Sequence, residues 1–193
     1  QNSQEDSSKI AVNTSKAEEK EDESKENTTT TKSSQTNKSQ DNSQNTEKNK
    51  EEETQKQPDP EFKKPVEGDI MKEFANNKLV YSSTLDVWAT HNGIDIAADK
   101  TTVVKAAADG TVKSIKNDPR YGLTVIIEHA NGYKTVYSNL LSTEFVVEGE
   151  EVKQGQSIGT VGNTAAFEIS DEPHLHFELL KDNEQQDPEL YLK

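Results

Sequence analysis

Short apolar segments separated by turn-forming residues dominate the chain from residue 79 onwards. Polar and apolar residues are mixed over 111–115, whereas 123–127 is predominantly apolar and β-branched, and we predict a half-buried and a buried strand. Three further segments predict strands: 79–88, 133–140 and 174–180. Short strands at regular spacing predict an all-β domain, an antiparallel β-sheet arranged as a sandwich or a partly open barrel.

Two dipeptides mark tight turns between these segments. Asp109-Gly110 and Asn131-Gly132 are residue pairs that two-residue hairpin turns favour, because both central positions require a positive φ. Each pair therefore predicts a hairpin between its flanking strands. Residues 165–172 predict a loop that carries three acidic residues just before the last long strand.

The N-terminal part of the chain has a different composition. Residues 1–57 contain only four apolar residues, and residues 1–60 hold 9 lysines against 14 acidic residues, a net charge of −5. Such a segment buries too little apolar surface to offset the entropy of the chain. We predict that residues 1–60 are a disordered polar stalk, and that 61–193 form one domain.

The charge and the residue types of the domain exclude several classes of function. Residues 61–193 carry 13 basic and 22 acidic residues, a net charge of −9, which argues against binding to nucleic acid. The chain has no cysteine, so it has neither a disulfide nor a thiolate zinc site. It begins at Gln1 and has no apolar run as long as a membrane span. We expect an extracytoplasmic protein whose membrane anchor precedes the stalk.

Two of the four histidines, His174 and His176, stand one residue apart in the last long predicted strand. Because side chains alternate across a strand, both point to the same face, with Cα atoms about 6.6 Å apart. At this distance one imidazole can hold a metal ion while the other reaches a group bound to that ion. The apolar residues Leu175 and Phe177 indicate that the pair stands on a buried strand.

His91 and Asp95 are the other candidate ligands. Zinc accepts neutral imidazole and carboxylate, so these two residues and one of His174 and His176 would supply three ligands. Residues i and i+4 of a straight strand lie about 13 Å apart, too far for one ion. The zinc hypothesis therefore requires a bend between His91 and Asp95, which Gly93 permits.

The remaining histidine, His129, lies at the end of a predicted strand, beside the Asn131-Gly132 turn. Because of this position, we interpret it as a structural residue.

Six motifs in order are similar to those of the LytM-type zinc metallopeptidases, family M23, which cut peptide cross-links of bacterial peptidoglycan. The matching segments are 91–98, 104–112, 121–122, 127–132, 152–159 and 173–178. The resemblance covers about residues 79–190. It implies the LytM-like fold, a Zn²⁺ ion held by His91, Asp95 and His176, and a catalytic role for His174.

Two departures from the family pattern place the catalytic activity in question. Active members carry a second catalytic histidine in a Tyr-x-His-Leu motif, where this chain has Asn139. Asn139 can donate a hydrogen bond to an oxyanion but cannot carry a proton, and losing such a donor typically costs about 10²–10³-fold in rate. The loop before His174 is also bulkier and more acidic than in the family, and we expect it to border the cleft and obstruct it.

A polar stalk, one LytM-like domain and incomplete catalytic residues resemble the family members of endospore-forming bacteria. This resemblance implies an anchor in the forespore membrane, with the domain facing the space towards the mother cell. It also implies a second sporulation membrane protein as the partner in a channel-like complex needed during engulfment. Two alternatives remain open: an active peptidoglycan endopeptidase, and a non-enzymatic module that binds the cell wall.

Overall fold

The computed structural model describes residues 57–193 of the chain, where it forms twelve strands and three short 3-10 helices. The strands are β1 Ile70–Lys72, β2 Ala75–Ser82, β3 Val87–His91, β4 Ile94–Ala97, β5 Val103–Lys105, β6 Gly110–Asp118, β7 Gly122–Glu128, β8 Tyr133–Ser142, β9 Glu151–Val152, β10 Ser157–Val161, β11 His174–Lys181 and β12 Glu184–Gln186. The 3-10 helices span Ala130–Gly132, Ala166–Glu168 and Pro188–Leu190. The predicted all-β class is confirmed.

β11, which carries His174 and His176, lies inside a large antiparallel sheet. The strand order is β1-β4-β11-β8-β7-β6-β9, with β10 joined to β8 and β5, and β12 joined to β11. One edge of β11 pairs with β4 and then β12, and the other edge pairs with β8. Because both edges have partners, β11 is held more rigidly than an edge strand would be.

Alternation along β11 separates the hydrophobic core from the polar face. Leu175, Phe177 and Leu179 are fully buried on the core side. Phe177 lies opposite Tyr137 of β8, and their ring centroids are 5.3 Å apart. The Tyr137 hydroxyl accepts a hydrogen bond from the backbone N–H of Ala107 at 2.8 Å, so the buried phenol keeps a polar partner. This core fixes the strand that presents the histidines on its opposite face.

The predicted single strand over residues 79–88 is wrong. The segment forms a hairpin instead, in which Tyr81 of β2 lies opposite Trp88 of β3 in a separate two-stranded sheet. Asp86 in the turn has a left-handed backbone with a φ of 54°. The alternation of apolar residues continues through the turn, with Leu85 and Val87 in phase with Tyr81. The sequence pattern therefore gave no sign that the strand ends and a second one begins.

The turn at Asn131-Gly132 is the predicted hairpin. Both residues have positive φ, 55° and 75°, and β7 and β8 pair antiparallel on either side, with Glu128 opposite Lys134.

The hairpin predicted at Asp109-Gly110 is wrong. β5 pairs with β10, while β6 pairs with β7 and β9, so the two strands flanking this turn are not partners. Gly110 is needed there for a close approach, since a Cβ atom would lie 2.4 Å from the carbonyl oxygen of Glu128. The Asp109 carboxylate accepts a hydrogen bond from the backbone N–H of Gln154 at 2.8 Å. The local turn signal therefore marked a connection between two strands that are not neighbours in the sheet.

The two ends of the described chain lie together. Phe62 is buried and forms an isolated parallel bridge with Leu192. Gln57 and Asp59 belong to the segment predicted as stalk, yet both accept hydrogen bonds from the side-chain amide of Asn131 at 2.7 Å. The remainder of the predicted stalk lies outside the described residues. Among the described residues, no helix has both the length and the apolar character needed to cross a membrane.

His129 is packed as a structural residue. Its Nδ1 lies 2.7 Å from the carbonyl oxygen of Asp109, its Nε2 lies 2.7 Å from the hydroxyl of Thr135, and its ring meets Phe62 edge-on at 5.4 Å. Because a carbonyl can only accept, Nδ1 carries the proton. Burial lowers the pKa of His129, and the contact with Asp109 opposes that effect. The imidazole is therefore held in its neutral form.

Replacing His129 with glutamine is expected to reduce the loss of stability at mildly acidic pH. The unfolded chain binds a proton at His129 below about pH 6.5, whereas the folded protein resists it until a lower pH, so stability falls as pH falls through that window. Urea unfolding of both proteins at pH 7.5 and 5.5 measures the difference. Equal pH dependence in the two proteins would contradict this assignment.

Candidate metal centre

The register of the sheet places the candidate residues in one row across four strands. Asp95 of β4 lies directly opposite His176 of β11. Lys72 of β1 lies opposite Asp95 on its other side, and Ser138 of β8 lies opposite His176. Directly opposite residues on one face have Cβ atoms about 4.5–5.5 Å apart. The pairing of β4 with β11 therefore brings a carboxylate to an imidazole without help from any loop.

His91 joins this row through a bend in the chain. It is the last residue of β3, and β4 starts three residues later in the other sheet. Gly93, between them, is not among the glycines with positive φ. A Cβ atom at Gly93 would lie 2.3 Å from the carbonyl oxygen of Phe177. The bend that the zinc hypothesis requires is present, and Gly93 serves it by close packing against β11.

Four side chains direct ligand atoms at a common point. His91 Nε2 lies 3.2 Å from His176 Nδ1, and Asp95 Oδ1 lies 2.8 Å from His176 Nδ1 and 3.2 Å from His91 Nε2. Glu168 adds its Oε1, which is 3.7 Å from His91 Nε2 and 3.6 Å from His176 Nδ1. All four residues are buried, and their ligand atoms lie within 4.8 Å of one another.

The second nitrogen of each imidazole has a hydrogen-bond partner behind it. His91 Nδ1 lies 2.9 Å from the carbonyl oxygen of Glu73, to which it can only donate. His176 Nε2 lies 3.2 Å from Glu178 Oε1. When each imidazole is neutral and these nitrogens carry its proton, the nitrogens that face the cluster present lone pairs. Partners of this kind orient ligating histidines in metal sites and fix the tautomer.

The surroundings of the cluster favour a positive charge at its centre. Burial raises the pKa of Asp95, but hydrogen bonds from His176 and His91 outweigh it and hold that pKa well below its usual range. Burial lowers the pKa of His176, but its hydrogen bonds to Asp95 and Glu178 outweigh burial and raise the pKa to about 10. The imidazoles thus lie among carboxylates that stabilise either an added proton or a metal cation.

Lys72 is the cation that already contacts these carboxylates. Its Nζ lies 2.8 Å from Asp171, 3.0 Å from Asp95 and 3.6 Å from Glu168. Burial lowers the pKa of Lys72, but the charge of Asp95 and the hydrogen bond to Asp171 raise it above its usual value. One ammonium therefore bridges a strand residue to the acidic loop.

His174 lies beside the cluster, on the same face of β11 as His176. Its Nε2 is 3.9 Å from Asp95 Oδ1 and 3.3 Å from Glu168 Oε2, while its Nδ1 is 2.7 Å from the carbonyl oxygen of Glu172. The prediction that the two histidines share a face is borne out by these contacts. Burial lowers the pKa of His174, but hydrogen bonding to Glu168 and the charge of Asp95 raise it above its usual value.

Asn139 is held by hydrogen bonds on both sides of its amide. The Nδ2 group lies 3.0 Å from the carbonyl oxygen of His174 and 3.3 Å from its Nε2. The Oδ1 atom accepts from the backbone N–H groups of Thr164 and Ala165 at 2.7 and 3.0 Å. Asn139 is fully buried with a φ of 63°, a conformation that asparagine tolerates well. One of its N–H donors is therefore committed to the carbonyl oxygen of His174.

Comparison with known proteins identifies the family. Residues 89–188 match peptidase family M23 over more than half of the chain. The chain is a member of family M23. It is 40% identical to stage II sporulation protein Q of Bacillus subtilis (strain 168) over 129 residues, which are 65% of this chain and 44% of that protein. The chain spans less than half the length of the curated relatives that it matches.

Two solved structures share the fold of this M23 domain. A chain of the SpoIIQ–SpoIIIAH pore-forming complex has a TM-score of 0.61 and 29% identity, covering 69% of this chain and 92% of that chain. A zinc-containing peptidase from Vibrio cholerae has a TM-score of 0.57 and 33% identity, covering 66% of this chain and 39% of that chain.

The donor set of this M23 domain fits a zinc ion. Zinc binds imidazole nitrogen and carboxylate oxygen at about 2.0–2.2 Å, so two ligands of a tetrahedral site lie about 3.3–3.6 Å apart. The distances among His91 Nε2, Asp95 Oδ1 and His176 Nδ1 are 2.8–3.2 Å. These three residues, predicted from the sequence, are brought together with lone pairs converging. Their role as zinc ligands stays a prediction.

Three residues of the M23 site were missed in the sequence analysis: Lys72, Glu168 and Glu178. Glu178 had a signal, since it continues the alternation of His174 and His176 on one face of β11. Lys72 and Glu168 lie in segments whose periodicity carries no such signal, and only the tertiary structure brings them to the site. The expectation that the acidic loop borders the cleft agrees with the structure, because Phe167 and Glu168 line it.

Substituting Gly93 with alanine is expected to destabilise the protein by about 1–3 kcal/mol, because the new methyl group overlaps the backbone of β11. The same displacement should move His91 away from Asp95 and weaken zinc binding. Thermal unfolding and zinc titration of the variant measure the two effects. Asn92→Ala, at the neighbouring position, is the control and should change stability by no more than about 0.5 kcal/mol. Wild-type values for Gly93→Ala would disprove the packing argument.

Proposed function

We propose that this protein is a zinc-binding, catalytically degenerate LytM-like domain that works by assembling with a partner protein. The partner is a stage III sporulation protein AH (SpoIIIAH)-like membrane protein, in a channel complex between forespore and mother cell during engulfment. The observation that carries the proposal is the convergence of His91, Asp95 and His176 on one point, beside a histidine, His174, whose neighbour is the amide of Asn139.

Zinc retention is supported by the three ligands that the sequence predicts. His91 and His176 present lone pairs whose direction is fixed by Glu73 and Glu178, and Asp95 supplies a carboxylate held ionised by its neighbours. When bound in such a site, zinc can polarise a carbonyl group and lower the pKa of water. Here His91 and Asp95 also flank the bend that joins the small hairpin sheet to the large sheet. A metal at this point stabilises the fold by linking the two.

Loss of catalysis is supported by the state of Asn139 and His174. Asn139 stands where active members have a second histidine, and its amide can neither accept a proton for transfer nor carry charge. One of its N–H donors is held by the carbonyl oxygen of His174. His174 Nε2, the nitrogen that a general base would use, faces Glu168 as well as Asn139. The two residues therefore stabilise each other and the loop, and are not directed at a substrate.

Assembly is supported by similarity and by an exposed apolar surface. One matching structure is a pore-forming complex of SpoIIQ with SpoIIIAH, and a sporulation protein is among the relatives. The β2–β3 hairpin exposes Leu79, Tyr81 and Trp88 to solvent by 56%, 48% and 66%. Clustered exposed apolar side chains are typical of protein–protein contacts. The polar segment over residues 1–60 would act as a stalk that joins this domain to an anchor in the forespore membrane.

Replacing His91 with serine is expected to abolish zinc binding and to weaken binding of the SpoIIIAH-like partner. The serine hydroxyl cannot supply the imidazole lone pair, and without the ion the hairpin sheet loses its link to β4. Zinc content by mass spectrometry and calorimetric titration with the purified extracytoplasmic domain of the partner measure the two effects. The wild-type protein, stripped of zinc by a chelator and then reloaded, is the control. Unchanged partner affinity without metal would disprove the structural role of zinc.

The alternative function is an active zinc endopeptidase that cleaves cross-link peptides of peptidoglycan. It is favoured by the complete set of three ligands, by the adjacent His174, and by similarity to a zinc-containing peptidase. A binding module that holds the cell wall without cutting it is a third possibility, favoured by the cleft that Tyr81, Tyr121 and Phe167 line.

Zinc-loaded wild-type protein is expected to release no new amino groups from purified cross-linked peptidoglycan. The physical reason is that Asn139 cannot take part in proton transfer and that Glu168 faces the catalytic nitrogen of His174. Labelling of free amines after digestion measures cleavage, and Asn139→His tests whether a restored histidine raises it. Release by the wild type that disappears in His174→Ala would make the protein an enzyme. Retention on peptidoglycan without release would favour the binding module.

A further inference from the structure

Glu168 has an unusual position for a carboxylate in a surface loop. It belongs to the 3-10 turn Ala166–Glu168 and is 4% exposed, while its apolar neighbours Phe167 and Ile169 are 41% and 48% exposed. Burying a carboxylate costs several kcal/mol unless charged partners compensate, and exposing apolar side chains gains nothing. The inward orientation of Glu168 therefore indicates that its carboxylate has a compensating partner in the interior.

The two oxygens of Glu168 have different partners. Oε2 lies 3.3 Å from His174 Nε2. Oε1 lies 3.6 Å from His176 Nδ1, 3.7 Å from His91 Nε2 and 3.6 Å from Lys72 Nζ. These Oε1 distances are longer than ordinary hydrogen bonds to either imidazole. The two distances to the imidazoles lie close to the separation of about 3.3–3.6 Å between two ligands of one tetrahedral zinc ion.

The four ligand atoms together describe a tetrahedron. Five of its six edges, measured among His91 Nε2, Asp95 Oδ1, His176 Nδ1 and Glu168 Oε1, are between 2.8 and 3.7 Å. They bracket the edge expected for zinc. Structural zinc sites have four protein ligands, whereas catalytic sites have three and keep the fourth position for water or substrate.

The loop that carries Glu168 is fixed at both ends. Asn139 holds its start by accepting from the backbone N–H groups of Thr164 and Ala165. Its far end is tied by Asp171, which binds Lys72 at 2.8 Å. In the middle, the backbone N–H of Phe167 donates to the carbonyl oxygen of Arg120 at 3.0 Å. These contacts fix the backbone of the loop and so hold Glu168 at the cluster.

We propose that Glu168 is the fourth zinc ligand and closes the metal site. The inference rests on the zinc site of the proposed function and deepens it, since it names the group that turns an open site into a closed one. Asp95 and Glu168 together neutralise the two charges of Zn²⁺. The site therefore offers no exchangeable position to a small anion or to a peptide carbonyl.

Cobalt-substituted full-length protein tests this without any enzymatic readout. In a closed site, the visible spectrum of Co²⁺ has the intensity of four-coordination and does not change when thiocyanate is added. Glu168→Ala should open a position, so that its spectrum shifts with thiocyanate, and should lower Co²⁺ affinity by at least the roughly 10–100-fold that loss of an outer partner costs. Glu172→Ala is the matched control, because it removes the same charge from an exposed position in the same loop.

The outcomes separate this inference from the proposed function. If wild-type Co²⁺ binding depends on His91 but its spectrum shifts with thiocyanate, the site exists and Glu168 does not close it. The same conclusion follows if Glu168→Ala behaves like Glu172→Ala. If His91→Ser leaves Co²⁺ binding unchanged, the zinc site itself is wrong. The thiocyanate titration of the wild type needs no variant, so a Glu168→Ala protein that fails to fold still leaves the proposal open to disproof.

Discussion

The pairing register between β4 and β11 is the constraint on which the site depends. It places Asp95 opposite His176, and all other contacts of the cluster are arranged around that pair. A slip of one residue would turn every side chain of β11 to the other face, exposing Phe177 and burying the histidines in the core. The apolar residues of β11 therefore fix the geometry of the candidate metal site, because they are buried in the core only in the register that places His176 opposite Asp95. The same pairing register is thus required both for a stable core and for the geometry of the site.

The sequence predicted those parts of the site that strand periodicity governs. Alternation put His174 and His176 on one face, and distance arithmetic required the bend at Gly93 that the structure has. It failed where alternation ran through a turn, as in the β2–β3 hairpin, and where a local turn signal at Asp109-Gly110 joined strands that are not partners. Pairing between distant segments is decided by the whole core, so no local pattern announced that Lys72 and Glu168 would meet at the cluster.

The reason for Gly93 also differs from the one that the sequence offered. A glycine in a bend is usually explained by a backbone conformation that other residues avoid, but Gly93 is not among those with positive φ. Its hydrogen replaces a Cβ atom that would overlap the backbone of β11. The left-handed conformation is found at Asn139 instead. The preference of glycine and asparagine for a left-handed backbone therefore explains Asn139 and does not explain Gly93.

In the proposed function, Asn139 couples the two changes that would separate this domain from a peptidase. By the family resemblance, Asn139 stands where active members carry a proton-transferring histidine. The amide oxygen of Asn139 accepts hydrogen bonds from the backbone of Thr164 and Ala165, at the start of the loop that bears Glu168. A protonated imidazole has no acceptor to offer those two N–H groups, so a catalytic histidine would release the start of the loop. The proposed loss of the histidine and the proposed closure of the site by Glu168 would therefore be linked through one side chain. Restoring the histidine alone would leave Glu168 buried among the ligands, and removing Glu168 alone would leave no second base. On this argument, recovery of hydrolysis requires both positions to change together.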